Sequence, residues 1–325
     1  MRGLLVMYRK ELEDHFSSTR FILLLTVILM VSLLITYMVG TGIREALEGS
    51  AKPSLVFLLL FTVPGKLFSL AQFIAFFGPL IGMVLGFDAI SRERSSRTLS
   101  KLISQPIYRD AVINGKFLAG LTIISLMLLS ITLLISGMGL WVLGVVPGGE
   151  EVGRLAVYLV VSIVYIGFWL AVSILFSILF RGMATSALAA LALWIFLAFF
   201  MPLGSSVVAD AVRPLPSESS SNYFDARVGH DELQHTLVLL SPITLYNEAT
   251  GTILNPMQKT NEPLSALYLR LGPMERLSLS RFQNPLPLLQ SALIVMPHLI
   301  SLVAITVVCF TICYACFMRQ EVRST

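Results

Sequence analysis

Residues 21–43 read FILLLTVILMVSLLITYMVGTGI, an unbroken apolar stretch without a charged residue. A run of about 20 apolar residues is long enough to cross the hydrocarbon core of a bilayer as a helix. The chain must be helical there, because only internal hydrogen bonds satisfy the backbone in the absence of water. These residues therefore predict a transmembrane helix.

Five more stretches of this kind follow along the chain. Hydrophobic residues make up 56% of the sequence and charged residues 13%, against about 25% charged in soluble proteins. The sequence thus predicts an all-α integral membrane protein with one transmembrane domain over residues 1–325. The six predicted transmembrane helices are Phe21–Ile43, Leu67–Ala89, Phe117–Val146, Leu155–Phe180, Met183–Val207 and Leu288–Met318.

Residues 1–19 predict an amphipathic helix that precedes the first span. Apolar residues recur there at helical spacing and charged residues take the other positions, the pattern of a helix lying along a membrane surface. The apolar positions are Leu4, Leu5, Tyr8, Leu12 and Phe16.

Lysine and arginine concentrate in alternate loops. Short loops rich in these residues stay in the cytoplasm, which predicts a multi-pass protein of the cell membrane with both termini cytoplasmic. The opposite short loops hold only Arg44, Lys52, Lys66 and Arg154. The net charge of +4 does not indicate nucleic-acid binding, because the basic residues flank apolar spans instead of forming a soluble basic face.

Residues 204–287 form a long predicted extracytoplasmic segment before the last helix. A low-complexity stretch, 214–221, precedes two predicted short helices. Ser241 and Pro242 have the pattern of a helix N-cap followed by proline at the first helical position. We expect this helix to lie flat or to dip into the outer leaflet.

The predicted cytoplasmic loop 90–115 is the most informative part of the chain. Its surroundings, residues 88–120, read DAISRERSSRTLSKLISQPIYRDAVINGKFLAG. Leu99, Leu102, Ile103, Pro106 and Ile107 follow the spacing of one apolar helix face. The pattern predicts a short amphipathic helix that either rests on lipid headgroups or docks on a partner protein.

This stretch resembles the cytoplasmic motif of ABC type-2 transporter permeases. The family pattern is an acidic residue, Gly-Thr-Leu, a run of leucines, proline, a basic residue, and Gly-Lys opening the next span. Arg97 stands where the family usually has glycine. The surface helix, the six spans, and Ser241-Pro242 with Tyr246 extend the resemblance over most of the chain. The matching motif residues are Glu93, Thr98-Leu99, Leu102, Pro106, Arg109 and Gly115-Lys116.

The resemblance implies a permease whose cytoplasmic coupling helix inserts into a groove of a separate ATPase subunit. ATP and magnesium would bind that partner, and this chain would carry no cofactor and be no enzyme. A second permease chain, identical or different, would complete the transporter, and export is favoured because the family mostly exports. The expected ATPase-coupling residues are Glu93, Arg94, Arg97, Thr98, Leu99, Leu102, Ile103 and Pro106.

The two Gly-Lys pairs do not form a nucleotide-binding loop, which requires Ser or Thr after the lysine. Gly115-Lys116 is followed by Phe117, and Gly65-Lys66 by Leu67. ATP hydrolysis is therefore expected on the partner chain. The cargo stays open, as does an extracytoplasmic partner for residues 204–287.

Three other patterns have ordinary interpretations. Residues 230–235 read HDELQH, but histidines five apart do not share a helix face, so a polar outer loop is favoured over a metal site. Cys309, Cys313 and Cys316 share one face, and helix packing is favoured over soft-metal binding. Gly78, Gly82 and Gly86 indicate either a close approach at a permease dimer interface or a kink.

Two rival functions differ from transport in the residues they require. An intramembrane hydrolase would need G-x-S-x-G or an equivalent metal or aspartate pair, and no such pattern occurs in the spans. A non-transporting anchor or sensor that recruits a partner through residues 204–287 remains the alternative to transport.

Overall fold

The computed structural model describes residues 2–47, 55–63, 69–96, 108–215, 223–255 and 286–319. All regular structure within these ranges is helical, which confirms the predicted all-α class. The helices are α1 (Arg2–Phe16), α2 (Thr19–Leu47), α3 (Leu59–Thr62), α4 (Leu70–Gly86), α5 (Ser91–Ser95), α6 (Arg109–Leu143), α7 (Gly149–Leu179), α8 (Met183–Ile195), α9 (Met201–Val212), α10 (Tyr223–Val238), α11 (Pro242–Leu254) and α12 (Leu288–Arg319).

Six helical segments in the described residues are long and apolar enough to span a bilayer, as the sequence predicted. Their order matches the six predicted spans, with shifted ends. The candidate spans are Thr19–Glu45, Leu70–Ser95, Arg109–Leu143, Gly149–Leu179, Met183–Val212 and Leu288–Arg319.

The end shifts have local causes. The second helix begins at Leu70 because Ser69 and Gln72 form a capping box, in which each side chain bonds the other residue's backbone N–H. The third begins at Arg109, several residues before Phe117, because polar residues continue the helix beyond the apolar stretch. The fifth reaches Val212 through a π-helical stretch, Phe196–Phe200.

Helix α7 is the centre of the bundle, and α4 and α12 pack along it. Gly78, Gly82 and Gly86 of α4 face α7 of the same chain. A Cβ added at Gly82 would lie 2.7 Å from the Ile166 carbonyl oxygen and 2.9 Å from the Leu170 nitrogen. The three glycines therefore permit contact between the two backbones inside one chain, and the suggested dimer role does not account for them.

We call the end of the bundle that carries α1 the α1 end, and the opposite end, which carries α11, the α11 end. At the α11 end, the connection between α2 and α4 turns inward as a 3-10 turn, Val56–Leu58, followed by α3. Phe57, Leu60 and Phe61 of this segment are fully buried. The described part of this short connection, residues 55–63, is thus largely buried, and we call it the buried plug.

Helix α11 starts at Pro242 after Ser241, as predicted. The Ser241 hydroxyl does not cap the helix, however, and instead donates to the Leu197 carbonyl in the π-helical stretch at 2.7 Å. Helix α11 packs between α7 and α12, and its Tyr246 ring is fully buried and stacks on Tyr165. Helix α11 therefore belongs to the core of the bundle, which contradicts the first predicted placement, flat on the membrane surface, while the second, a helix that dips into the outer leaflet, stays a prediction.

Candidate functional site

Lys116 joins three elements at the α1 end. Its ammonium group lies 2.8 Å from Glu11 Oε1 on α1 and 2.9 Å from Glu93 Oε1 on α5. All three side chains are largely buried, with Lys116 the most enclosed. Lys116 thus joins α1, α5 and α6.

This arrangement places one lysine between two carboxylates. A buried charge is costly unless it is paired and hydrogen-bonded, and here each charge has a partner. Burial alone raises the pKa of Glu11, but the charge and hydrogen bond of Lys116, with help from Lys10, outweigh it, so the net pKa of Glu11 is lowered. Glu11 is therefore ionised at neutral pH and attracts Lys116.

The glycine before Lys116 explains how α1 comes close enough for this contact. A Cβ added at Gly115 would lie 3.0 Å from both Cβ and Cγ of Met7. Met7 is buried on the same face of α1 as Glu11. The Gly-Lys dipeptide therefore has two physical roles, since glycine admits α1 and lysine fixes it.

Helix α5 is also fastened to the C-terminal end of α7. The backbone N–H groups of Ile90 and Ser91 both donate to Ser177 Oγ, at 2.9 and 3.0 Å. Arg94 donates from its guanidinium group to the Ile178 carbonyl at 3.3 Å. The C-terminal end of the second candidate span is therefore bonded to α7 as well as to Lys116.

Two of the predicted ATPase-coupling residues, Glu93 and Arg94, lie in α5 and make the contacts given above. The others lie outside the described residues, so their predicted role stays a prediction. These are Arg97, Thr98, Leu99, Leu102, Ile103 and Pro106.

Sequence reasoning missed the part played by Glu11 and assigned Lys116 only to the motif. The available signal was an acid one turn after Met7, on the α1 face opposite the exposed Leu5 and Phe16. Periodicity alone does not identify the partner, because Glu11 and Lys116 are 105 positions apart.

Arg154 organises the α11 end. Its guanidinium group is fully buried and pairs with Glu150 at 2.8 Å. It also donates hydrogen bonds to the Ile253 carbonyl at 2.8 Å, to Ser291 Oγ at 3.2 Å and to the Leu286 carbonyl. These contacts tie α7 to the end of α11 and the start of α12. A planar fork with several donors suits this task, which a lysine would not fulfil.

The neighbouring Glu151 performs a similar task for the buried plug. One carboxylate oxygen accepts from the Phe57 backbone N–H at 3.0 Å, and the other accepts from Gly148 N–H at 2.8 Å. The carboxylate satisfies both the start of α7 and a backbone donor that is buried between spans.

The polar outer loop predicted at residues 230–235 is in fact part of helix α10. His230 contacts Asp210 at 2.9 Å, whereas His235 and His298 contact the two oxygens of Glu248 at 2.8 and 2.9 Å. Burial raises the pKa of Glu248, but the hydrogen bond from His298 and the charge of His235 outweigh it, and the net pKa is lowered. His230 therefore connects α10 to α9, and the contacts of His235 and His298 with Glu248 connect α10 and α12 to α11.

Metal-binding geometry does not occur in the ranges that the structure describes, since no group of three or more His, Cys, Asp or Glu side chains could hold a metal ion there. Cys309 and Cys313 are buried within the hydrophobic core, and Cys316 is partly buried against it. Their surroundings agree with the favoured packing role.

Comparison with known proteins identifies the family of the whole chain. The family model described as ABC-2 family transporter protein matches residues 5–322, from within α1 to beyond the last candidate span. A comparison with individually curated proteins finds no match. The family match covers the Gly-Lys site, the six candidate spans and the ion-pair contacts of Lys116 and Arg154. The chain therefore belongs to the ABC-2 family of membrane transporter proteins.

Proposed function

We propose that this chain is the permease subunit of an ATP-binding-cassette exporter and that a separate subunit hydrolyses ATP. The observation that carries the proposal is Lys116 bridging Glu11 and Glu93. A docking loop transmits force only if its ends are fixed to the parts that must move. Here its first residues contact α1 through Lys10, α6 through Lys116 and α7 through Ser177.

The proposed sequence of events begins at the partner. Two ATPase subunits close around ATP and magnesium and displace the coupling helix within loop 90–115. Glu93 and Lys116 pass this displacement to α1 and α6, while Ser177 passes it to α7. The path between two permease chains then opens toward the other side of the membrane.

The proposed orientation places the α1 end and both termini in the cytoplasm of a cell-membrane protein. It is supported by the excess of lysine and arginine at that end. In this orientation α10 and α11 lie at the extracytoplasmic end of the bundle, and segment 204–287 is extracytoplasmic. The family resemblance favours export as the direction of transport.

Purification of the tagged chain from its own membranes in mild detergent, followed by mass spectrometry, tests the proposal. We expect an ATPase with a nucleotide-binding loop to copurify. Leu102→Asp should abolish its recovery without preventing insertion, because a charge would enter the apolar face of a small interface. Val146→Asp is the matched control, since Val146 is 79% exposed in the loop at the opposite end.

Two outcomes would count against the proposal. Equal ATPase recovery with wild type and Leu102→Asp would show that the predicted docking face is wrong. A stable chain that retains no nucleotide-binding protein would favour the anchor or sensor function, and deletion within segment 204–287 should then remove whatever partner is found.

A further inference from the structure

A cavity of about 710 Å³ opens at the α1 end, between α1, α2, α4, α5, α6 and α7. This volume lies within the roughly 300–1,000 Å³ typical of small-ligand sites. One of its walls is charged and comes from α1, α5 and the junction of α1 with α2. Another is apolar and includes Leu24, Val84 and Leu85 from the spans.

The charges in this cavity are arranged unevenly. On one side two arginines face one carboxylate, with Arg20 3.1 Å and Arg92 4.0 Å from Asp88 Oδ2. Both arginine side chains are more than half exposed, whereas Asp88 is largely buried. This side therefore has an excess positive charge within reach of a ligand.

The other side has the opposite excess. Lys10 and Lys116 are shared among three carboxylates, which belong to Glu11, Glu93 and Asp14. His15 also lines the cavity, and burial lowers its pKa, so it adds no charge at neutral pH. A ligand that bridged both sides would need an anionic group and a cationic group.

The position of the cavity specifies the rest of the ligand. Helix α1 has exposed apolar residues, Leu5 and Phe16, as expected for a helix at the membrane surface. The apolar wall belongs to helices that cross the bilayer. A ligand there would have its polar part at the headgroup level and its apolar part along the spans.

We propose that this cavity binds a phospholipid with a primary ammonium headgroup, of the phosphatidylethanolamine class, from the leaflet at the α1 end. Arg20 and Arg92 bind the phosphate, because guanidinium groups match its geometry. Asp14 and the neighbouring carboxylates accept hydrogen bonds from the ammonium group. The acyl chains lie on Leu24, Val84 and Leu85. The site lies within one chain, so it does not depend on the proposed ATPase.

Native mass spectrometry of the delipidated full chain in detergent, without any ATPase, tests this site. Palmitoyl-oleoyl phosphatidylethanolamine is titrated beside phosphatidylcholine and phosphatidylglycerol with the same acyl chains. We expect phosphatidylethanolamine to bind most tightly. Phosphatidylcholine has no N–H donor for the carboxylates, and phosphatidylglycerol has no cation.

Two sets of variants identify the contacts. The double change Arg20→Gln and Arg92→Gln should weaken phosphatidylethanolamine binding by about tenfold or more, since it removes two charge-assisted phosphate contacts. Arg9→Gln is the matched control, because Arg9 is exposed on α1 outside the cavity. Asp88→Asn should shift the preference toward phosphatidylglycerol by leaving both arginines unopposed.

Asp14→Asn provides a test that does not endanger folding, because Asp14 is 62% exposed. It should reduce the preference for phosphatidylethanolamine over phosphatidylcholine. Equal binding of all three lipids to the wild-type chain would overturn the proposal. Equal binding of phosphatidylethanolamine to wild type and to the double arginine variant would overturn it as well. So would equally tight binding of soluble glycerophosphoethanolamine, which would show that the site takes a free phosphate ester instead of a lipid.

Discussion

The hydroxyl of Tyr165 on α7 donates a hydrogen bond to the carbonyl of Ala75 on α4, at 2.8 Å. Pro79 lies four residues after Ala75 and has no N–H, so the usual helical donor for this carbonyl is missing. A side chain from the neighbouring helix therefore supplies the bond that proline removes. Both Tyr165 and Ala75 are buried, where water cannot take over this role.

Tyr165→Phe should therefore destabilise the protein by about 1–3 kcal/mol, the cost of a buried carbonyl without a donor. Thermal unfolding in detergent measures the effect. In a Pro79→Ala background the same change should cost less, because the alanine would restore the helical N–H. Tyr37→Phe serves as the control, since Tyr37 is about half exposed. Equal penalties in the two backgrounds would contradict this account.

The backbone contact between α4 and α7 makes a second prediction. Gly82→Ala should destabilise the fold, by about 1–3 kcal/mol, because its new Cβ would overlap backbone atoms that cannot move away independently. Gly137→Ala is a matched change within α6, where nothing lies within 4 Å of the added Cβ. It should be neutral or stabilising by up to about 1 kcal/mol. The melting temperatures of the two variants should separate clearly, and similar values would refute the close contact.

Replacement of Lys116 tests the ion-pair contacts that join α1, α5 and α6. Lys116→Met leaves the buried Glu11 and Glu93 with only the half-exposed Lys10, at 3.4 and 3.8 Å, and should cost up to about 3–5 kcal/mol. Adding Glu11→Gln and Glu93→Gln should recover much of this stability, since no buried charge then remains unpaired. If these ion pairs transmit motion, the triple variant should still bind the ATPase but show weaker coupling between ATP hydrolysis and transport. Full coupling in a stable triple variant would remove Lys116 from the proposed mechanism.

Glu248, in contact with His235 and His298, makes the stability of the α11 end dependent on pH. The lowered pKa of Glu248 means that its contribution to stability is present above its ordinary value of 4.5 and is lost as the pH falls through the lowered value. Melting temperatures measured from neutral pH down to about pH 3 should fall less steeply for Glu248→Gln than for wild type. Glu45→Gln, at an exposed position, should follow the wild-type curve. Parallel curves for wild type and Glu248→Gln would show that this carboxylate does not contribute to the acid sensitivity.

The six spans and the all-α class could be predicted from sequence because the requirement for a membrane helix is local. Each apolar stretch must satisfy its own backbone, so the composition of about 20 residues decides the outcome. The Gly115-Lys116 pair and Ser241-Pro242 were also recognisable, because short-range motifs need no knowledge of distant partners. Helix ends were less predictable where polar residues extend a span, as at Arg109.

Which helix faces meet depends on the packing of the whole bundle. Hydropathy does not distinguish a face that contacts lipid from one that contacts protein, because both are apolar. The sequence therefore did not identify the partners of Lys116, Arg154 and Tyr165, and it did not predict the inward turn of the buried plug that contains Phe57. Local composition alone establishes that the chain crosses the membrane and where it does so. The bonds between its helices follow from folding, since buried polar groups must find partners wherever the packed bundle brings them together.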